Sequence, residues 1–512
     1  MTPGVYFDPD ITATLQSVFT LVVPETILVA AACVLFLGST FHAGRNLWGS
    51  VALLAVVAAG FVAVRYPGST GGLVATASPI WPDGLTYFVR IVSLTGALVL
   101  ILLTWGSASN ELAGEHFGCL LLIAAGTNLC AAANELITLF LSLELVSIPT
   151  YVLLYLTKRD RPAQEAAVKY FLLSVFSSAF VLFGFSYLYG QTGTTNIPAI
   201  LSSYAAAGAA RLPVLAVMAV VFIVSGLSFR ITAVPFHFYA PDVYEGTGTG
   251  SAAMLAFVPK LAGFAALIRV LGLATAGRGE PALAIDFHVP LLLWILAVIT
   301  MTLGNVLALW QDNLQRILAY SSIAHAGYML IGLTTAPILY IQDAGGAPGG
   351  VPALLFYVAA YGAMTLGAFG VIALLNSTGK TVERVDDLAG LARTQPGLAL
   401  VMSIFLFSMI GLPLTAGFAG KFALFFGALT SPQPLFWALA VIGAVNAAIG
   451  AYYYLRIIGA MYLRGALHPL DRPHCLAGRL AIAVCAAATL IFGVYPAPLK
   501  QLAQSTVAAA QR

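Results

Sequence analysis

Residues 226–246 read GLSFRITAVPFHFYAPDVYEG, an apolar run that carries Arg230 and is then interrupted at Pro235. Proline inside a helix removes one backbone hydrogen bond and forces a kink. Residues 411–422, GLPLTAGFAGKF, repeat the device with Pro413 and a nearby cation, Lys421, and the two prolines lie 178 residues apart. At membrane depth, non-helical backbone survives only where it is buried in protein or lines a wet cavity. Broken helices in corresponding positions point to a repeat-built transporter with ion sites near the midplane. A plain proline kink used for packing is the alternative.

The composition places these runs in lipid. Of 512 residues, 60% are apolar and 8% are Asp, Glu, Lys or Arg, against roughly 25% charged residues in a soluble domain. With a mean hydropathy of +0.94, apolar side chains outnumber the positions a globular core could hide, which excludes a soluble enzyme. A net charge of +3 is too small to argue for nucleic acid as a partner. Cys33, Cys119, Cys130, Cys475 and Cys485 form no CxxC pair, so neither a zinc site nor an iron–sulfur ligand set is expected.

At about 20 apolar residues per crossing, the chain offers fourteen spans: about 20–38, 46–64, 85–105, 116–133, 135–156, 163–190, 211–233, 250–271, 288–310, 314–338, 351–376, 396–428, 433–460 and 477–496. The first fifteen residues hold Asp8 and Asp10 and no cation, unlike the basic start of a cleavable signal peptide. The predicted organisation is a single membrane domain over 1–512. Odd-numbered loops carry Arg45, then Lys158, Arg159 and Arg161, then Arg316, then Lys380, Arg384 and Arg393, then Arg464 and Arg472; even-numbered loops hold little beyond Arg65, Arg211 and Arg278. Because short loops rich in Lys and Arg stay in the cytoplasm, both termini are predicted on the non-cytoplasmic side.

An ionisable side chain inside a span costs roughly 2.5–3.5 kcal/mol on insertion scales and is a functional hypothesis by default. Glu144, Lys169, Arg230, Lys260, His325 and Lys421 qualify, each near the middle of a span or beside a helix break, and His237 lies just past Pro235. The competing reading is a paired structural charge or a lysine that snorkels to the interface. It fits Arg90, Arg269 and Arg456 better than it fits Lys260 and Lys421, which lie well inside apolar runs. Two nucleotide-like strings fail: GTGTG at 246–250 lacks the third glycine of a dinucleotide fingerprint, and before Lys421 a phosphate loop would need glycine where Thr415 stands and Ser or Thr in place of Phe422.

The strings LSLELVSIPTYVLLYL (141–156), EAAVKYFLLS (165–174), VPFHFYAPDVYEG (234–246), LQRILAYSSIAHAGYMLIGL (314–333), GLPLTAGFAGKF (411–422) and AIGAYYYLRIIGAMYL (448–463) resemble subunit N of proton-translocating NADH:quinone oxidoreductase, respiratory complex I, over roughly residues 15–500. The resemblance implies an all-α polytopic membrane protein of about 14 transmembrane helices with broken helices 7 and 12: N-terminal helices 1–3 in 1–115, two inverted five-helix repeats in 116–271 (helices 4–8) and 288–460 (helices 9–13), and helix 14 in 477–496. It implies that Glu144 is the fifth-span carboxylate, Lys260 the eighth-span central lysine, His325 the tenth-span relay and Lys421 the twelfth-span lysine near the exit. Lys169 and His237 are secondary candidates. One position departs: the seventh-span residue, usually lysine, is Arg230. After PDVYEG, the string TGTGSAAM also lacks the family's usual prolines, leaving the start of span eight uncertain.

An arginine stays protonated above about pH 12 and acts as a fixed charge, whereas a buried lysine can exchange a proton near neutral pH. The expected route therefore has Glu144 and Arg230 as an ion pair whose opening shifts the proton affinity of Lys260, with His325 and Lys421 passing the proton on. The resemblance further implies no redox centre in this chain; NADH, FMN, iron–sulfur clusters and quinone belong to partner subunits. The partners implied are the antiporter-like subunit M, small membrane subunits and the lipid bilayer. An alanine- and glycine-rich composition favours a bacterial plasma (inner) membrane. An Mrp-type cation/proton antiporter or membrane-bound hydrogenase subunit, and an independent solute symporter, remain as alternatives.

Overall fold

The computed structural model describes residues 18–65, 78–157, 160–206, 212–273, 288–342, 349–377, 381–465 and 475–508. The stretch with Asp8 and Asp10, and the loop cations Lys158, Arg159, Arg211, Arg278, Lys380 and Arg472, lie outside them. Strand-type pairing amounts, among the described residues, to three isolated antiparallel bridges. In lipid only a helix satisfies every backbone group within its own segment, and the fold is helical throughout.

The crossings are α1 (Val23–Ser39), α2 (Arg45–Arg65), α3 (Gly84–Thr104), α4 (Ala113–Ala132), α5 (Leu136–Thr157), α6 (Arg161–Thr192), α7 (Val214–Arg230), α8 (Thr249–Val270), α9 (His288–Ala308), α10 (Leu314–Gln342), α11 (Gly350–Asn376), α12 in two halves (α12a, Pro396–Ile410; α12b, Ala416–Leu429), α13 (Pro434–Leu463) and α14 (Leu476–Val494). Among the described residues, eleven helices are long and apolar enough to cross a membrane alone; the shorter apolar ones are α1, α7 and the two halves of α12. Counting the halves as one gives the fourteen crossings expected, with ends within a few residues of those read from hydropathy. Short helices at Ile197–Ala206 and Ala240–Gly246 serve as connectors.

Helices α4–α8 and α9–α13 form two sets of five. Five is an odd number, so the second set enters the membrane from the side opposite the first, and the repeats are inverted. The start of α5 is pinned by a bridge between Glu135 and Asn196, with the Leu136 N–H donating to the Thr195 carbonyl at 2.9 Å. The start of α10 is pinned in the same way, by a bridge between Asn313 and Arg384 and a bond from Leu314 N–H to the Glu383 carbonyl at 2.7 Å. Glu135 and Asn313 are separated by 178 residues, the spacing of Pro235 and Pro413.

Burial sorts the helices. Every residue of α8 from Ser251 to Val270 is buried, as expected of a helix that is apolar all round and central. In contrast, α6 turns Val168, Phe171, Leu172, Val175 and Phe176 outward, and α13 exposes Val441, Val445, Tyr452 and Leu455. Outward apolar faces of this kind suit an apolar surrounding. Helices α9 and α10 approach backbone to backbone: a Cβ on Gly304 would sit 2.6 Å from the Ala324 nitrogen, and one on Gly327 would sit 2.5 Å from the Met301 nitrogen. Small residues at such crossings allow the close approach that drives helix association in lipid.

Candidate functional site

Helix α7 ends at Arg230, and the chain then runs without regular helix to Tyr239. Thr232 in this break has φ = 58°, and the Val234–Pro235 peptide is cis. The break leaves the last carbonyls of α7 without helical partners, the ordinary condition of a helix C-terminus and one that attracts cations. Lys260, at the centre of α8 and fully buried, occupies that position. Its Nζ donates to the Ile231 carbonyl at 3.2 Å and to Thr232 Oγ1.

The second break has the same chemistry. Helix α12a ends at Ile410, Gly411 adopts φ = 96°, and α12b begins at Ala416. Lys421 reaches back from α12b, its Nζ donating to the carbonyls of Met409 at 2.7 Å and Ile410 at 3.1 Å. The pairs Ile231–Thr232 and Met409–Ile410 are again 178 residues apart. Each lysine thus sits on the opened carbonyl end of an interrupted helix, one reached from a neighbouring helix and one from its own second half. Neither forms an ion pair with a carboxylate among the described residues. Lys421 also lies 4.7 Å from the centroid of the Tyr328 ring, a cation–π contact.

His325 of α10 lies between tyrosines. Its Nδ1 is 2.5 Å from the Tyr357 hydroxyl and its Nε2 is 3.1 Å from that of Tyr454; Tyr454 also bonds Ser321. Tyr328 accepts a bond from Asn305 Nδ2 at 3.0 Å, and Tyr453 donates to Asn305 Oδ1 at 3.0 Å. Hydroxyls that can both donate and accept therefore flank the imidazole on both nitrogens, as a proton relay requires.

Two buried ion pairs look alike in sequence and differ in geometry. Arg90 and Glu25 are joined by two bonds, Nε to Oε1 at 2.8 Å and Nη2 to Oε2 at 2.9 Å, and Nη2 also donates to the Leu21 carbonyl at 2.7 Å. Both side chains are fully buried. This is a closed, bidentate clamp between α1 and α3. Arg230 and Glu144 meet at a single contact of 3.2 Å, the carboxylate is 22% exposed, and Arg230 Nε has no partner. Here the serines do more than the pair itself: Ser147 accepts from Arg230 Nη1 at 2.5 Å, and Ser178 donates to Glu144 Oε1 at 2.5 Å. The pair can open while each charge keeps a hydroxyl partner.

The other sequence candidates fall elsewhere. Lys169 lies at the exposed end of α6, not in its interior, paired with Glu165 at 2.6 Å and Asp242 at 3.0 Å, and is 41% exposed. Arg316 joins the same cluster through Asp242 at 2.8 Å and Glu245 at 2.7 Å. His237, within the first break, keeps an unpartnered Nδ1. Arg269 bonds Asp83, which also caps α3 through the Thr86 N–H, and Arg456 bonds Asp312; both are structural fasteners. Sequence reading missed Ser147, Ser178, Thr232, Tyr357 and Tyr454. Ser147 could have been found, since it follows Glu144 by three residues and so shares its helix face. Among the described residues no group of three or more His, Cys, Asp or Glu side chains could hold a metal ion.

Fourteen crossings, two broken helices and a line of buried cations between them define a polytopic membrane protein of antiporter-like architecture. The family described as NADH:quinone oxidoreductase/Mrp antiporter, TM, matches residues 133–447, and the chain belongs to that family. It is 40% identical to the NADH-quinone oxidoreductase subunit N of Trichlorobacter lovleyi, over 95% of this chain and 96% of the relative. Among solved structures it is similar to a chain of respiratory complex I from Thermus thermophilus with bound aureothin, at a TM-score of 0.75 and 29% identity, covering 94% of this chain and 99% of that one. A chain of the Mrp complex from Dietzia sp. shares the fold at a TM-score of 0.81 and 19% identity, covering 97% of that chain and 96% of this one.

Proposed function

We propose that this chain is a redox-centre-free, proton-translocating membrane subunit of NADH:quinone oxidoreductase, of the subunit N kind, in which the Glu144–Arg230 pair sets the proton affinity of Lys260, and Lys260, His325 and Lys421 pass the proton on. The observation that supports it most is that two lysines buried at helix breaks are held only by carbonyls, hydroxyls and a ring face. A lysine kept for structural cohesion would be paired with a carboxylate, because removing an unpaired ammonium from water costs several kcal/mol. A lysine that must give up its proton is better held by neutral acceptors, which keep it in place in either protonation state.

Arg230 is the fixed charge of the device. Arg230 directly precedes Ile231, whose carbonyl holds Lys260; when Glu144 releases the guanidinium and it swings toward that carbonyl, repulsion between the two cations favours release of the lysine proton toward His325. When the pair closes, the repulsion is relieved and Lys260 is recharged. Lys421 receives the proton beyond His325. The breaks at Pro235 and Pro413 supply the free carbonyls on which both lysines rest. Lys169 and His237 lie beside this route.

In the same reading the chain divides into N-terminal helices (1–115), two half-channels (116–271 and 288–460) and a closing helix (477–496), and sits in a bacterial plasma membrane with both termini on the non-cytoplasmic side. NADH, FMN, iron–sulfur clusters and quinone reside in partner subunits. The exposed apolar faces of α6 and α13 pack against antiporter-like and small membrane subunits.

The pair is tested in the purified complex reconstituted in vesicles, with quinone reduction and acidification followed together. Arg230→Lys is expected to keep most of the acidification, because a cation remains opposite Glu144. Arg230→Ala and Glu144→Gln are each expected to lower it by on the order of tenfold or more. Full acidification in Arg230→Ala would remove the pair from the coupling.

A further inference from the structure

Between the end of α7 and Pro235 the chain directs its N–H groups in two ways. Those of Ile231, Thr232 and Ala233 turn back to the Leu227, Phe229 and Ser228 carbonyls of α7, at 3.2, 3.0 and 2.8 Å. That of Val234 donates to Thr300 Oγ1 at 3.0 Å. Thr300 belongs to α9, so this bond crosses from the second repeat to the first. Both residues are buried, Thr300 completely, and a buried N–H must find an acceptor.

Thr300 is itself fixed. Its chain neighbour Met301, and Gly304 one turn on, are the points where α9 meets α10 backbone to backbone: a Cβ on Gly327 would sit 2.5 Å from the Met301 nitrogen and one on Gly304 would sit 2.6 Å from the Ala324 nitrogen. His325 lies between Ala324 and Gly327 on α10. Backbones packed this closely cannot slide without a clash, so Thr300 and His325 keep a constant relation. On the other side of the bond, Val234 follows Thr232 by two residues. Thr232 is β-branched and has φ = 58°, a conformation it keeps only where its surroundings impose it. Its Oγ1, together with the Ile231 carbonyl, receives Lys260 Nζ. The second break is closed from within its own helix, the Gly417 N–H donating to Ser408 Oγ of α12a at 3.0 Å.

We propose that Thr300 is a positioning residue for Lys260: its hydroxyl holds the turn from Ile231 to Val234 so that the acceptors of the Lys260 ammonium stay in register with His325. The proposal rests on the reading of Lys260 and His325 as successive steps of one proton route, and it adds what keeps those steps aligned across the boundary between the repeats. Thr300 acts through the backbone of the turn and carries no proton. Without its hydroxyl the Val234 N–H loses its acceptor, the turn relaxes, and the Ile231 carbonyl and Thr232 hydroxyl no longer face Lys260 as a fixed pair. A misplacement of about 1 Å at a reacting group can cost on the order of a hundredfold in rate.

The test is the reconstituted complex carrying Thr300→Val, which keeps the shape of the side chain and removes the hydroxyl, beside Thr300→Ser, which keeps the hydroxyl. In Thr300→Val, amide hydrogen exchange over residues 231–239 is expected to rise several-fold while residues 411–416 stay unchanged. Acidification per assembled complex is expected to fall on the order of tenfold or more. Thr300→Ser is expected to match the wild type in both. A purely packing role would lower the yield of complex and leave exchange in the turn and acidification per complex as they were. Either quantity unchanged in Thr300→Val, or both lost alike in Thr300→Ser, would overturn the proposal. When acidification survives in Thr300→Val but not in Lys260→Met, only the role of Thr300 falls; survival in both variants takes the proton route with it. Should Thr300→Val not assemble, exchange in the wild-type complex decides. The Val234 amide, though outside any helix, is expected to be as protected as the amides of α8, and its exchange within seconds would overturn the proposal.

Discussion

Vesicles containing the complex with Lys260→Met are expected to show no acidification on addition of NADH and quinone, with coupled quinone reduction falling on the order of tenfold or more. Methionine matches the reach of lysine and is apolar, so α8 keeps its packing inside the bundle. What is lost is the ammonium that bonds the Ile231 carbonyl and Thr232 Oγ1 at the end of α7. The carbonyl then has no donor, yet assembly is expected to persist because the cost of burying an ammonium disappears with it. Lys421→Met is expected to behave alike, removing the bonds to Met409 and Ile410 and the contact with Tyr328. Acidification at the normal rate in either variant would take that lysine out of the route.

The second large effect is on stability. Arg90→Met leaves the Glu25 carboxylate buried and without its partner, a change worth about 3–5 kcal/mol. That is a large part of a fold's margin of about 5–15 kcal/mol, so little assembled complex is expected in the membrane. The double variant Arg90→Met with Glu25→Leu is expected to recover assembly, since replacing both members of a buried pair by apolar groups is often neutral or better. Its acidification is expected to be normal. Complex yield and thermal inactivation measure the first claim and vesicle acidification the second. A stable single variant would show that the clamp between α1 and α3 contributes little.

These two variants separate what cations do here. The clamp at Arg90 is bidentate, doubly satisfied and closed. The pair at Arg230 touches at one point, leaves Nε free and shares its load with Ser147 and Ser178. Sequence separated them only by the break at Pro235 beside Arg230; the difference in geometry lies in partners 65 and 86 residues away.

What the sequence did convey follows from the solvent. A crossing must be about 20 apolar residues long, so all fourteen spans could be counted, and prolines at 235 and 413 marked the two interruptions. The lysines drew attention because lysine is costly in lipid. Lys169 misled for the same reason: EAAVKYFLLS continues into a long apolar helix, and only the fold shows that its fifth residue still lies at the exposed end, beside Asp242 from a connector 73 residues on. Hydroxyl groups were the larger omission. Serine, threonine and tyrosine are ordinary in membrane helices, where serine and threonine bond the carbonyl one turn back, as Ser228 does with Val224. Nothing in local spacing marks Ser178, Tyr357 or Tyr454. Their role depends on which helices pack together.

The most direct measurement is made on Lys260→Arg in the assembled, reconstituted complex, with acidification and quinone reduction recorded in the same vesicles. Arginine keeps the positive charge and can donate to the same carbonyl and hydroxyl, but it holds its proton at any working pH. If Lys260 moves protons, the variant assembles and acidification is lost. Normal acidification by an arginine at this position would mean that the charge alone suffices, and that the buried cations hold the helices together and carry nothing.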